Sequence, residues 1–296
     1  MKYLIGFIGF GEAAFHIANG LKSEGLNEII AYDINQDHQK IGKIVRRRAE
    51  EADILLVDSL EILYRSSRII MSLTSSKVAF KLADQVIPNL APGQIYADMN
   101  STAPEIMQSI DRIPRKSGVG FCDAAIMSTV PGSNHKVEIF LSGDGAADLM
   151  EVLMPYGMNL RDLNALAGGS SAIKMLRSVV MKGLPQLMME AMLPALEFGT
   201  LDALIDSLNG SLKGKSVEDL ANIFFARTIV HAQRRSKEMK DFIATIEALG
   251  MDATMSRATC DNLQALDSLN LVDRIGPEGD LDFRRTLQVI NERRKG

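Results

Sequence analysis

The opening stretch of the chain contains residues whose types and spacing suggest cofactor chemistry. An apolar run over 4–8 leads directly into Gly9-Phe10-Gly11-Glu12-Ala13-Ala14. This order fits the dinucleotide fingerprint G-x-G-x-x-G/A, in which the first glycine allows a tight turn and the second lets the backbone approach a pyrophosphate. Free N–H groups at the start of the following helix would hold the pyrophosphate. The stretch therefore predicts a cofactor-binding turn made by Gly9, Phe10, Gly11, Glu12 and Ala13.

A carboxylate follows at the distance that this fingerprint requires. Asp33 ends the second predicted strand, 28–32, roughly 20 residues after the glycines, where an acidic residue binds ribose hydroxyls. A carboxylate there repels a 2′-phosphate, so it favours NAD, with NADP as the alternative. The run Arg46-Arg47-Arg48 is interpreted as a solvated helix end rather than as a clamp for a 2′-phosphate.

Hydride exchange with a nicotinamide requires a nearby group that gives or takes a proton. The candidate is Lys174, one turn into a long predicted helix that follows Gly168-Gly169. Its ammonium could donate a proton to a developing alkoxide, and its neutral amine could accept one from an alcohol. The neutral form requires a pKa lowered by burial or by a neighbouring cation. Arg177, three residues further on the same helix face, is a candidate for that cation. The alternative is a surface lysine that caps a turn.

Other candidates follow the predicted strands, at the ends where ligands bind in parallel sheets. Leu73, Thr74 and Asn100 are assigned to the cofactor, although a helix cap is the alternative for Asn100 and Ser101. Lys240 is a further cofactor candidate, with a solvated helix lysine as its alternative. The residues assigned to the substrate are Ser101, Ser128, Thr129 and Arg177.

The elements that must position these residues alternate between strand and helix in the first half of the chain. This alternation predicts a parallel sheet covered on both faces, and after Gly168 every pattern is helical. We therefore expect an α/β protein with an N-terminal Rossmann domain, a doubly wound sheet over 1–166. A long helix would join it to an all-α domain over 167–296 that binds substrate and forms the dimer. The predicted helices of that domain are 170–198, 200–209, 216–226, 229–249, 252–269 and 280–294.

Composition excludes several classes of function. A net charge of −4 in 296 residues gives no electrostatic case for nucleic acid or for an anionic membrane. Two cysteines make no disulfide framework, which suits a reducing cytoplasm. Met1-Lys2 runs directly into a strand, so we expect no signal peptide. The four histidines show no metal-ligand spacing. A homodimer is expected because the long helix is apolar on several sides.

The motifs, in their order along the whole chain, resemble those of the β-hydroxyacid dehydrogenase superfamily, which includes 6-phosphogluconate dehydrogenase and 3-hydroxyisobutyrate dehydrogenase. The stretch 231–239 looks most similar to a poorly characterised phosphogluconate-dehydrogenase-like branch. The resemblance implies an NAD(P)-dependent oxidoreductase in which Lys174 is the catalytic lysine. The stretches that carry it are Gly6–Gly11, Ala97–Thr102, Cys122–Ala125, Gly168–Ser178 and Met239–Phe242.

Departures from the family pattern narrow the expected reaction. Met127-Ser128-Thr129 replaces the S-G-G triplet that cradles the substrate carboxylate in the family, and Arg177 and Ser178 replace two amides after the lysine. An arginine there suits a small anionic substrate. Met181 replaces the glutamate of phosphogluconate dehydrogenase, so decarboxylation is not expected. We expect interconversion of a β-hydroxyacid-like alcohol and its carbonyl. The alternatives are an imine reductase, which typically lacks the lysine, and a dinucleotide sensor that has lost catalysis.

Overall fold

The structure is a computed structural model that describes residues 1–276, 279 and 282–295. The chain divides into two compact units, Met1–Val179 and Val180–Gly296. The first contains the sheet and the second is helical. The domain boundary predicted between residues 166 and 167 stays a prediction.

The first unit is built on eight strands with helices between most of them. The strands are β1 (Tyr3–Ile8), β2 (Ile29–Tyr32), β3 (Leu55–Leu56), β4 (Ser67–Ser72), β5 (Ile95–Asp98), β6 (Gly120–Ile126), β7 (Ile139–Ser142) and β8 (Leu160–Asp162). The helices are α1 (Glu12–Ser23), α2 (Ile41–Glu51), α3 (Leu60–Ser66), α4 (Ala79–Val86), α5 (Pro104–Asp111), α6 (Ala146–Leu153) and the start of α7 (Gly169–Glu197). Short 3₁₀ turns occupy 87–89, 134–136 and 154–156.

The sheet has the order β3-β2-β1-β4-β5-β6-β7-β8. The strands from β3 to β6 are parallel, whereas β7 runs antiparallel to β6 and β8 runs parallel to β7. Successive residues of a strand point to opposite faces, so Phe7 enters one buried core and Ile8 enters the other. The predicted Rossmann sheet, covered on both faces, is confirmed, with one antiparallel step at β7.

The backbone turns after Asp33, where Gln36 N–H donates to the Asp33 carbonyl over 3.0 Å, and α2 begins only at Ile41. The helix cap suggested for Asn100 and Ser101 is wrong, because Ala103 is the N-cap of α5 and no side chain caps that helix.

The second unit contains the rest of α7 and further helices, so the predicted all-helical C-terminal part is confirmed. These helices are α8 (Leu201–Leu212), α9 (Val217–Val230), α10 (Ala232–Ala248), α11 (Thr254–Ser268), α12 (Val272–Ile275) and α13 (Phe283–Lys295). Residues 280 and 281 of the helix predicted over 280–294 lie outside the described residues. Glu190 of α7 accepts hydrogen bonds from the Met255 and Ser256 amides at the start of α11. No helix among the described residues combines the length and the apolar character needed to cross a membrane.

Candidate functional site

The fingerprint turn between β1 and α1 has the geometry that its glycines predict. Gly9 has φ +83°, and a Cβ added there would lie 2.4 Å from the Leu73 carbonyl oxygen. Only glycine fits this conformation and this close approach without strain. Gly11 is the N-cap of α1, no side chain caps the helix, and a Cβ on Gly11 would meet nothing within 4 Å. The turn therefore presents the start of α1 to open space, where an anionic group can approach the helix amides.

A cavity of about 780 Å³ lies beside this turn. Two other cavities of this unit are smaller, with volumes of about 360 and 330 Å³. The larger cavity is within the size range of cofactor sites. Five of the predicted cofactor residues line it, namely Gly9, Gly11, Asp33, Leu73 and Thr74. Apolar side chains form much of its wall, including Ile34, Ile41, Ile44, Val78 and Leu82. Such a wall suits the flat faces of an adenine ring.

Asp33 braces the fingerprint turn from the end of β2. Its carboxylate is buried, with Oδ2 accepting from Phe10 N–H over 2.9 Å and Oδ1 accepting from Asn35 N–H over 2.8 Å. These bonds stabilise the charged acceptor at the cavity wall. The Phe10 side chain is fully buried and packs edge-on against Phe7, so only the Phe10 backbone is available to a ligand.

Two predicted cofactor residues lie beside the cavity but do not line it among the described residues. Glu12 is the exposed first residue of α1, and Ala13 is half-buried against the core. Arg48, by contrast, does line the cavity together with Lys81. The interpretation of residues 46–48 as a wholly solvated helix end is therefore wrong for Arg48, which is half-buried.

Asn100 connects the end of β5 to the cavity wall. Its Oδ1 accepts from Thr74 N–H over 2.6 Å, and its Nδ2 donates to Ser72 Oγ over 3.0 Å and to Asp98 Oδ1 over 2.8 Å. Asn100 is buried. Its side chain therefore holds the Thr74 turn rather than pointing freely into the cavity.

Asp98 lies behind Asn100 and is fully buried. Burial raises the pKa of Asp98 to about 7, the hydrogen bonds from Asn100 oppose that rise, and the negative charge of Asp123 adds to it. Within the described residues Asp98 Oδ2 has no hydrogen-bond partner. Because an unpaired charge is costly in the interior, Asp98 holds a proton below neutral pH.

Asp123 of β6 holds the first turn of α7. Its Oδ1 accepts from Ser171 Oγ over 2.7 Å, and its Oδ2 accepts from the Gly168 and Ser171 amides, each over 3.1 Å. Ser142 Oγ lies 3.3 Å from the same Oδ2. The sequence prediction did not assign Asp123 to the site, although the carboxylate in Cys122–Ala125 and the serines that begin α7 were visible signals.

Lys174 lies one turn after Ser171 on α7 and is half-buried. Burial lowers the pKa of Lys174, and the negative charge of Asp123 partly opposes this. Of the two causes that the sequence left open, burial is the one that lowers the pKa of Lys174, and the candidate cation Arg177 is not. Arg177 is exposed and donates from Nη1 to the Met127 carbonyl over 3.2 Å, so it links α7 to the segment after β6.

The remaining predicted site residues are exposed. Ser101 follows β5, Ser128 and Thr129 follow β6, and Lys240 lies on α10 in the second unit. Among the described residues no group of three His, Cys, Asp or Glu side chains is placed to hold a metal ion.

Residues 4–161, more than half of the chain, match the family model of the NAD binding domain of 6-phosphogluconate dehydrogenase. The chain belongs to this family. It is therefore a member of the β-hydroxyacid dehydrogenase superfamily, as the motifs predicted, and its first unit carries an NAD-binding domain. Residues 195–266 match a domain of unknown function (DUF1932).

Solved structures agree with this membership. A conserved hypothetical protein from Sinorhizobium meliloti 1021 is 30% identical, covering 99% of this chain and 97% of its own, with a TM-score of 0.65. The conserved protein MTH1747, described as structurally similar to 3-hydroxyacid dehydrogenases, is 29% identical over 90% of this chain and 98% of its own, with a TM-score of 0.62.

A third solved structure shares the fold alone. It is an imine reductase from Aspergillus terreus with NADPH4 and dibenz[c,e]azepine, 16% identical over 97% of this chain and 99% of its own, with a TM-score of 0.70. The chain is therefore an NAD-binding oxidoreductase of the hydroxyacid dehydrogenase superfamily.

Proposed function

We propose that the protein uses NAD(H) to interconvert a β-hydroxyacid-like alcohol and its carbonyl compound, with Lys174 as the proton donor and acceptor. The observation that supports this most directly is the half-buried amine of Lys174, whose pKa burial lowers, next to the Asp123 carboxylate. A lysine with a lowered pKa can exchange a proton at a pH where an exposed lysine stays charged.

The position of Lys174 relative to the carboxyl edge of the sheet supports this role. Asp98, the last residue of β5, is the register partner of Asp123 on β6, so Asp123 lies level with the carboxyl edge of β5. Because Asp123 holds the start of α7, the first turns of that helix reach the same edge. The fingerprint turn after β1 and the Thr74 turn after β4 follow strands of this edge as well. Ligands of doubly wound sheets bind there.

The residues of the larger cavity fit the NAD that the family implies. In the proposed complex Gly9 and Gly11 leave room for the pyrophosphate, the α1 amides bind it, and Asp33 accepts from the ribose hydroxyls. The negative charge of Asp33 favours NAD, whereas Arg48 and Lys81 on the same wall would tolerate a 2′-phosphate. The bound nicotinamide would supply or remove the hydride.

The substrate is proposed to be a small anion. Arg177 is a planar cation next to the segment that follows β6, and among the described residues Nη1 is the only one of its nitrogens that makes a hydrogen bond, to the Met127 carbonyl. Its other donors can bind a carboxylate. The exposed hydroxyls of Ser101, Ser128 and Thr129 would supply further donors. Lys240 is retained as a proposed cofactor contact.

Two other functions compete with this proposal. An imine reductase shares the fold, but the retained Lys174 argues for an alcohol or carbonyl substrate. A dinucleotide sensor is favoured by the altered triplet Met127-Ser128-Thr129, which lacks the two glycines of the family pattern.

A hydride-transfer assay across hydroxyacids, sugar acids and cyclic imines separates the three functions. The proposed dehydrogenase should reduce NAD with a hydroxyacid and should lose this activity in Lys174→Ala while still binding NADH. Turnover of imines alone would identify an imine reductase. Binding of NADH without turnover on any substrate would identify a sensor.

A further inference from the structure

A chain of contacts runs from the buried core of the sheet to the wall of the cofactor cavity. It begins at Asp98, whose Oδ1 accepts from both the backbone N–H and the side-chain Nδ2 of Asn100, over 2.9 and 2.8 Å. The Asn100 Oδ1 then accepts from Thr74 N–H over 2.6 Å. Thr74 lies against the fingerprint turn, because a Cβ added to Gly9 would be 2.9 Å from Thr74 Cγ2.

The orientation of the Asn100 amide depends on Asp98. An amide side chain has a donor end and an acceptor end, and only one orientation places the acceptor against the Thr74 N–H. Asp98 Oδ1 also accepts from the Asn100 backbone N–H, which can only donate, so Oδ1 is an acceptor whether or not the carboxyl carries a proton. Because the same Oδ1 accepts from the donor end of the Asn100 amide, it selects that orientation. Ser72 Oγ also lies 3.0 Å from the Asn100 Nδ2, but a hydroxyl can donate as well as accept and therefore does not select one orientation by itself.

We propose that Asp98 is a positioning residue of the cofactor site: its buried carboxyl orients Asn100, and Asn100 fixes the Thr74 turn against Gly9. The inference rests on the proposed placement of NAD in the larger cavity. Asp98 itself does not line that cavity among the described residues, so its influence on the cofactor must pass through Asn100.

The surroundings of Asp98 disfavour its ionised form. Asp123 faces it from β6, with the buried Cys122 thiol beside it, and Tyr96 lies on the same strand. From β4 the register partner is the uncharged Ser72. Lys174, on α7, offers a positive charge to Asp123 rather than to Asp98. An ionised Asp98 would thus face a second carboxylate, and its Oδ2 would need a donor that the described residues do not provide.

The first test measures NADH dissociation constants by calorimetry for the whole protein. Asp98→Ala should raise the constant about tenfold, as loss of a hydrogen bond that orients a ligand-binding group does. Asp98→Asn, which keeps the Oδ1 acceptor, should stay within about threefold of the wild type. In an Asn100→Ala background, adding Asp98→Ala should change the constant less than about twofold, since the route through Asn100 is already removed.

The second test uses pH and does not depend on the alanine variant being folded. As pH rises from about 6 to about 8.5, wild-type affinity for NADH should fall several-fold because Asp98 ionises, whereas Asp98→Asn should show a flat profile over that range. Equal profiles for the two proteins would overturn the inference. So would an Asp98→Asn variant that binds NADH as weakly as a folded Asp98→Ala, or additive effects in the double variant. Failure of the wild type to bind NADH at any pH would overturn the proposed function together with the inference.

Discussion

Asp98 and Asp123 are register partners on adjacent strands and are both fully buried, yet their carboxyl groups are in opposite situations. Asp123 accepts hydrogen bonds at both of its oxygens, three of them from the start of α7. Within the part of the chain that the structure describes, the Asp98 carboxyl is bonded only to Asn100. The negative charge of Asp123 raises the pKa of Asp98 on one side and opposes the lowering of the Lys174 pKa on the other.

Replacement of Asp98 should change the pH dependence of folding. The pKa of Asp98 is about 7 in the folded protein, against an ordinary aspartate pKa of 3.8. Between these values the native state retains a proton that the unfolded chain has lost, so wild-type stability falls as pH rises through this window and is level above it. The full displacement corresponds to about 4 kcal/mol. The asparagine of Asp98→Asn does not titrate, so the variant should not lose this stability. Its free energy of unfolding, compared with that of the wild type, should therefore rise by up to about 4 kcal/mol between acidic and neutral pH.

Urea unfolding of both proteins at a series of pH values checks this prediction. A stability difference that stays constant from acidic to neutral pH would contradict it. Asp261→Asn provides the control, because Asp261 is an exposed residue of α11 and its neutralisation should leave the pH dependence nearly unchanged.

Replacement of Lys174 should abolish turnover without abolishing cofactor binding. Loss of a general acid or base typically lowers the rate about 10²- to 10⁴-fold, so Lys174→Ala should show that decrease in kcat with an unaltered dissociation constant for NADH. In the wild type, alcohol oxidation should rise with pH as Lys174 loses its proton, with a midpoint below the ordinary lysine value of 10.5. Lys182→Ala, an exposed lysine on the same helix, is the matched control. A variant at residue 174 that keeps both its rate and its pH profile would contradict the proposed role.

Much of the cofactor site was predictable because its determinants are local. The fingerprint requires only a strand, two glycines and a helix in immediate succession, and Gly9 and Gly11 have the conformations that this order predicts. Asp33, which lines the same cavity, was a candidate for the same reason, since its spacing from the glycines is set by one helix and one strand.

The catalytic side was less predictable because its contacts join distant parts of the chain. The Gly168 amide and Asp123 are 45 residues apart, and no local pattern sets the register that places Asp98 beside Asp123. Burial of Lys174 likewise depends on tertiary packing, so the sequence left burial and the neighbouring Arg177 open as causes of its lowered pKa. The antiparallel direction of β7 is likewise set by its pairing with β6, which no local sequence pattern shows.

Neutralising Asp33 should shift the cofactor preference. Asp33→Asn keeps an oxygen that can accept a hydrogen bond but removes the charge that opposes a 2′-phosphate, so the ratio of the NADPH and NADH dissociation constants should move about tenfold toward NADPH. Arg48→Ala should move it the other way, since Arg48 lines the same cavity. Calorimetric titration with both cofactors measures the ratio. Asp37→Asn, at an exposed position, should leave it unchanged; an equal shift there would contradict a specific role for Asp33.

A methyl group on Gly20 should destabilise the first unit. Gly20 of α1 packs against the buried ring of His135, and an added Cβ would lie 2.1 Å from its Nδ1. Overpacking of this kind costs about 1–3 kcal/mol. Gly210→Ala in α8 is the control, because a Cβ there meets nothing within 4 Å and alanine favours a helix by about 1 kcal/mol over glycine. The thermal unfolding temperature should therefore fall for Gly20→Ala and rise for Gly210→Ala. A Gly20→Ala protein that is as stable as the wild type would contradict the prediction, because it would show that α1 and the His135 ring separate easily.

The proposed homodimer should depend on the apolar side chains that α7 exposes. In the second unit these include Leu184, Leu187 and Met188, each more than two-fifths exposed. Exposed apolar surface of this extent is typical of protein interfaces. Leu187→Arg would bury a charge at such an interface, so the mass measured by light scattering should fall from that of two chains to that of one, with helical content retained. Gln233→Arg, which adds the same charge at an exposed polar position of α10, should leave the mass unchanged. A wild-type protein with the mass of a single chain would contradict the dimer directly.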